Sequence, residues 1–125
     1  MAKYAYTEEG KAAIVVLATM MIKADGRTDP KEIDLSLIFF NKLSVGSKAL
    51  NLSKTMTPSE ALLIVNKMTL EEKKLVRVIL STILAADGEM DDRELAILTT
   101  VSLVANIPQV LPDEGRKILE ELYMV

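Results

Sequence analysis

The sequence predicts an all-α, single-domain bundle of about six or seven helices, built from a duplicated helix-loop-helix unit. Three observations predict it. Helix-start signals recur along the chain, at Thr7-Glu8-Glu9, Asp29-Pro30-Lys31-Glu32, Thr57-Pro58-Ser59-Glu60 and Thr69-Leu70-Glu71-Glu72. Each sets a capping oxygen ahead of acids that suit the positive end of a helix. The apolar runs between these signals lack the alternation, bounded by turn pairs, that marks strands. Finally, Ala-Asp-Gly-Xaa-Xaa-Asp-Xaa-Xaa-Glu occurs twice, at positions 24–32 and 86–94, each time between two apolar runs.

The first helix opens at Thr7 and carries the run Ala12–Ile22, in which Thr19 is the one polar residue. A helix apolar on nearly all sides belongs at the centre of a bundle. Asp25-Gly26 ends it, Gly26 being suited to the left-handed position after a last turn. Asp29 then caps the second helix, with Pro30 at its first position and Glu32 completing a capping box. That helix runs to about Leu43 and stops at Val45-Gly46. Ser47–Thr55 reads either as a short helical turn or as a loop. Thr57 starts a short helix to about Lys67. Thr69 starts a long one through Leu75, Val76, Ile79, Leu80 and Ile83 to Ala86. Asp87-Gly88 ends it, and Asp91-Asp92-Arg93-Glu94 begins the next, which is stopped by Ile107-Pro108. Pro112-Asp113-Glu114 opens the last helix, with Ile118, Leu119, Leu122 and Tyr123 on its apolar face.

A chain of 125 residues suits one domain, 1–125, and 50% hydrophobic with 26% charged residues is a globular composition. The net charge is −3, aromatics make up 4%, and no basic stripe is present. Nucleic-acid binding through phosphates or base stacking is not expected. Cysteine and histidine are both absent. Disulfides, thiolate nucleophiles, Ser-His pairs and His/Cys zinc sites are thereby excluded. Any metal must be held by oxygen, which points to calcium, magnesium or manganese. Nothing supplies a nucleophile, a phosphate-binding glycine loop or a general base beyond the acids, so no enzyme is expected. The start Met1–Tyr6 lacks a long apolar stretch, so no signal peptide is expected, and Ala12–Ile22 is too short to span a bilayer. A soluble, cytoplasmic protein with no direct membrane insertion is the expectation.

Asp25 and Asp87 stand 62 residues apart (87 − 25). At that offset Ala24, Asp25, Gly26, Asp29 and Glu32 meet Ala86, Asp87, Gly88, Asp91 and Glu94, and Val16 meets Val78. The repeat covers about 12–45 and 74–107. Neither helix-loop-helix unit can bury its apolar side alone, so the two are expected to pack together about a pseudo-two-fold axis. Adjacent acidic turns and turns at opposite ends both satisfy that arrangement.

Two readings compete for the acids. Asp29, Glu32, Asp91 and Glu94 have the spacing of helix caps, each worth about 1 kcal/mol. Asp25 and Asp87 fit less well, because each follows the negative end of a helix, where an acid costs roughly 0.3–1 kcal/mol. They call for a partner: backbone N–H groups of an Asx-turn, or a bound cation. The candidate metal ligands are thus Asp25, Asp29 and Glu32 in one copy and Asp87, Asp91 and Glu94 in the other. This is not an EF-hand, since the residues before each Asp-Gly are apolar. About three carboxylates per turn fall short of the 6–8 oxygens calcium takes, so the physical expectation is weak, partly hydrated binding. The first copy carries Arg27 and Lys31 and the second Glu89 and Asp92, so the second is the more acidic. Met20, Met21, Met56 and Met68 read as core filler. Phe39-Phe40 reads as one buried and one more exposed ring, and an exposed Phe40 would mark a partner surface. Lys54, Lys67, Lys73, Lys74 and Arg77 read as a solvated face.

The doubled Asp-Gly-Xaa-Xaa-Asp-Xaa-Xaa-Glu between apolar helices, with Thr69-Leu70-Glu71-Glu72 starting the helix before the second copy, resembles the tellurite-resistance TerB-like family. It is also similar to the N-terminal domain of a membrane-anchored DnaJ-type co-chaperone. The match covers roughly Ala12–Pro108. The resemblance implies a bacterial, non-enzymatic stress-response module with a divalent-cation site at the acidic turns. It also implies docking onto partner proteins, some in membrane-associated complexes. A purely structural interaction domain, whose acids only cap helices, is the alternative.

Overall fold

The computed structural model describes residues 6–23, 29–86, 88 and 92–123. Among them are seven helices and no strand: α1 (Glu8–Ile22), α2 (Pro30–Lys42), α3 (Ser47–Thr55), α4 (Pro58–Asn66), α5 (Leu70–Leu84), α6 (Asp92–Val104) and α7 (Pro112–Tyr123). The uncertain stretch 47–55 is a full nine-residue helix.

Helix α1 is the axis of the bundle and touches α2, α3, α4, α5 and α6. Its composition explains how so many neighbours fit. Ala12, Ala13 and Ala18 are fully buried beside Ile14 and Leu17, and small side chains let other helices approach closely. α3 and α4 turn small residues inward as well, Ala49 and Ala61. Helix α5 is the second central element, contacting α1, α2, α6 and α7 and burying Leu75, Val76, Val78, Ile79, Leu80, Ile83 and Leu84. Phe39 fills the space under α2 and its ring lies 6.4 Å from that of Tyr123 on α7. Phe40, the more exposed ring of the two, is half-buried against the same core. The four methionines do pack as core filler.

The duplication is visible in backbone detail. α1 and α5 are each 15 residues and α2 and α6 each 13, and every boundary is offset by 62 (70 − 8, 92 − 30). Thr7 caps α1 by accepting from Gly10 N, and Thr69 caps α5 by accepting from Glu72 N. The repeat therefore begins at 7 and 69, earlier than the sequence match alone indicated. Its far ends agree too. Ser44 and Asn106, 62 apart, both adopt left-handed backbone, φ 59° and 55°. After each, the next residue's N–H returns to the third-last carbonyl of the helix, Val45 N to Phe40 O and Ile107 N to Ser102 O, both at 2.8 Å. Ser44 N and Asn106 N reach Asn41 O and Leu103 O in the same way. This is the Schellman ending.

Candidate functional site

The acidic turns lie between α1 and α2 and between α5 and α6. Asp25, Asp87 and Asp91 are outside the described residues; Asp29, Glu32 and Glu94 are within them. The helix ends that flank the turns are well defined. α1 closes with Lys23 N on Thr19 O and α5 with Ala85 N on Ser81 O. Gly88 follows with φ +94°, the left-handed conformation its position demands, and among the described residues no atom would obstruct a Cβ there. The glycine is needed for its backbone angle and not for space.

Asp29 is a helix cap: its carboxylate accepts from Lys31 N at 2.8 Å. The full capping box expected with Glu32 is not formed, because Asp29 takes the second helical N–H and not that of Glu32. Reciprocal boxes do occur at Thr57/Glu60 and Thr69/Glu72. The difference shows in burial. Glu60 is exposed and Glu72 half-exposed, whereas Glu32 and Glu94 are each only 5% exposed.

Glu32 and Glu94 occupy one structural position. The core-facing stripe of α2 is Glu32, Ser36, Phe39 and, just past its end, Leu43; that of α6 is Glu94, Leu98, Val101 and Ala105. Both follow the spacing i, i+4, i+7, i+11 of a buried helix face. A carboxylate thus opens each stripe, immediately after each acidic turn, at a place where an apolar residue would serve packing. Buried carboxylates are costly unless paired, hydrogen-bonded or bound to a cation. Among the described residues no three acids come together in a group fit to hold a metal. The described half of the site is a cap, Asp29, plus two inward-facing glutamates.

The sequence reading missed a second feature. Arg77 is not on a solvated face. It is half-buried, donates to Ser102 Oγ across the α5–α6 contact, and burial pushes its pKa below the ordinary arginine value. Lys74, one turn earlier, pairs with Glu114 at 2.8 Å. The repeat carried a signal: Arg77 stands at the position of buried Val15 in the first copy (77 − 15 = 62).

The chain shares its fold with a protein of unknown function. That protein, from Porphyromonas gingivalis W83, has a crystal structure that superimposes with a TM-score of 0.81 at 27% identity, over 96% of this chain and 94% of that one. No family model matches the chain, and neither does any curated protein. The likeness therefore speaks for the all-α architecture over nearly the full length of both chains. Among the described residues no helix is long and apolar enough to cross a membrane.

Proposed function

We propose that this chain is a non-enzymatic, TerB-like stress-response module that holds a divalent cation at its Asp-Gly turns and docks onto partner proteins. One observation carries the cation reading: glutamates at equivalent repeat positions, directly after the two acidic turns, are turned into the protein. The glutamates that serve only as capping-box partners face solvent to a much greater extent. Capping alone does not call for burial, while an oxygen-lined cation site does. With Asp25 and Asp29 ahead of Glu32, and Asp87 and Asp91 ahead of Glu94, each turn offers three carboxylates, water and backbone oxygens completing the shell. Calcium, manganese and magnesium are the candidate ions, bound weakly.

The test is calorimetric titration with each of the three ions, on the native chain and on the Asp25→Asn, Asp87→Asn double variant. Saturable heat on the native chain that the double variant loses supports the proposal. No heat and no thermal shift at millimolar ion would sink it.

A second reading, an interaction domain whose acids only cap helices, has one observation in its favour. The outer face of α6 consists of Leu95, Ala96, Thr99, Thr100, Leu103 and Val104, all exposed and none charged. That face suits contact with a partner protein whether or not a cation is bound.

A further inference from the structure

A groove of about 370 Å³ runs between α5, the segment leading into α7, and α7 itself. Its walls are chiefly apolar, Val78, Val110, Leu111 and Leu119, and Arg77 and Arg116 also line it. The two hydroxyls beside it are committed to their own helix: Ser81 Oγ donates to Arg77 O at 2.8 Å and Thr82 Oγ1 to Val78 O at 2.6 Å. Arg116 is held by Asp113 at 3.0 Å, and nearby Lys74 by Glu114. Those two pairs are neutral. Arg77 makes no ion pair with any described residue; it donates to the Ser102 hydroxyl, which itself donates to Leu98 O. One guanidinium bond to a hydroxyl leaves most of five N–H donors for something else.

The scaffold does not require this charge. In the first copy of the repeat the positions of Arg77 and Ser102 hold two apolar residues, the buried Val15 and the half-buried Phe40. The second copy has exchanged that pair for a cation and its hydroxyl, with the cation lining a chiefly apolar groove. We propose that the groove binds a small aliphatic monocarboxylate, with the carboxylate on the Arg77 guanidinium and the chain along Val78, Val110 and Leu119. The groove carries one uncompensated positive charge, which matches a single carboxylate, and planar bidentate pairing is what arginine does best. The groove's volume of about 370 Å³ lies in the range of small-molecule pockets, which suits a short aliphatic acid such as octanoate. This assignment uses none of the acidic turns and stands apart from the cation proposal.

The experiment is an amide-resolved NMR titration of the whole chain with sodium octanoate, and separately with octan-1-ol. The expected result is saturable shifts centred on Val78, Val110 and Leu119, with octan-1-ol binding at least tenfold more weakly. Arg77→Gln weakens octanoate tenfold or more, whereas Arg116→Gln stays within about twofold. Because octan-1-ol is tested on the native chain, the result does not depend on Arg77→Gln folding. Equal binding of acid and alcohol, no saturable shifts by about 10 mM, or shifts centred away from Val78, Val110 and Leu119 would overturn the assignment. Tighter binding of a short peptide with an apolar C-terminal residue and a free carboxylate would overturn it in favour of a chain terminus as ligand.

Discussion

Exchanging Glu32 or Glu94 for glutamine separates a cap from a cation ligand. Glutamine keeps the shape and can still serve at the third helical position, where Glu and Gln are both accepted. If these residues only cap, Glu32→Gln and Glu94→Gln shift stability modestly and by the same amount with or without divalent cation. If they face a cation, the difference in stability between variant and native chain depends on the ion. Melting in chelator gives each glutamine variant its own baseline against the native chain, and the change on adding ion is what is read. With cation the native chain gains RT ln(1 + [L]/Kd), about 1.4 kcal/mol per site at about 10 mM ion against a Kd of about 1 mM. For a chain of this length that is a rise of roughly 6 °C in Tm. The variants forgo it at the altered site, so the gap between the native and variant melting temperatures widens by that amount when ion is added. Differential scanning calorimetry in chelator and in calcium, manganese or magnesium reads this directly. Glu60→Gln, at an exposed capping-box position, is the control and must follow the native response to the ion. A native chain that fails to shift by even about 1 °C, or glutamine variants that keep the full shift, would refute the reasoning.

Other outcomes follow from the scaffold. Phe39→Ala removes a fully buried ring between α2, α5 and α7 and should cost about 3–5 kcal/mol in urea unfolding. Gly88→Ala meets no steric obstacle, so its cost, about 1–2 kcal/mol, comes from the positive φ alone, and Gly88→Asn should recover part of it. Ser44→Gly removes left-handed strain at the end of α2 and should gain about 0.5 kcal/mol after the entropy cost of glycine. Asn106→Gly should change little, since asparagine already tolerates that conformation.

The fold was legible because local signals and periodicity agreed. Thr7, Asp29, Thr57 and Thr69 are all caps in fact, and the all-apolar Ala12–Ile22 is the central helix. The segment 47–55 was not legible, because its one fully buried residue, Ala49, makes no visible stripe, and its place is set by packing against α1. The Schellman endings escaped notice because Ser44 is a poor advertisement for left-handed backbone, even though its equivalent, Asn106, is a good one. Glu32 was misread for a more instructive reason. Its spacing from Asp29 fits a capping box, and it also fits the first position of the stripe 32, 36, 39, 43. One position satisfied two templates, and capping was the more familiar. Reading Glu94, Leu98, Val101 and Ala105 against it would have shown that the glutamate faces inward in both copies.

The two copies share what the scaffold demands and differ where it demands nothing. Caps, core stripes, inward glutamates and helix endings are matched at a spacing of 62. The outer face of α2 carries Lys31, Asp34, Leu37, Ile38 and Asn41, whereas that of α6 is uncharged after Arg93. Val15 and Phe40 in one copy stand where Arg77 and Ser102 stand in the other. A duplicated unit needs neither difference to fold, since the first copy packs the same backbone without them. The matched glutamates argue for a property both turns hold in common, and the cation proposal is of that kind. The groove at Arg77 and the bare face of α6 belong to the second copy alone. A ligand or partner engaged there should be indifferent to the first copy's equivalent positions, so Val15→Ala and Asn41→Ala leave octanoate binding unchanged while Arg77→Gln weakens it tenfold or more.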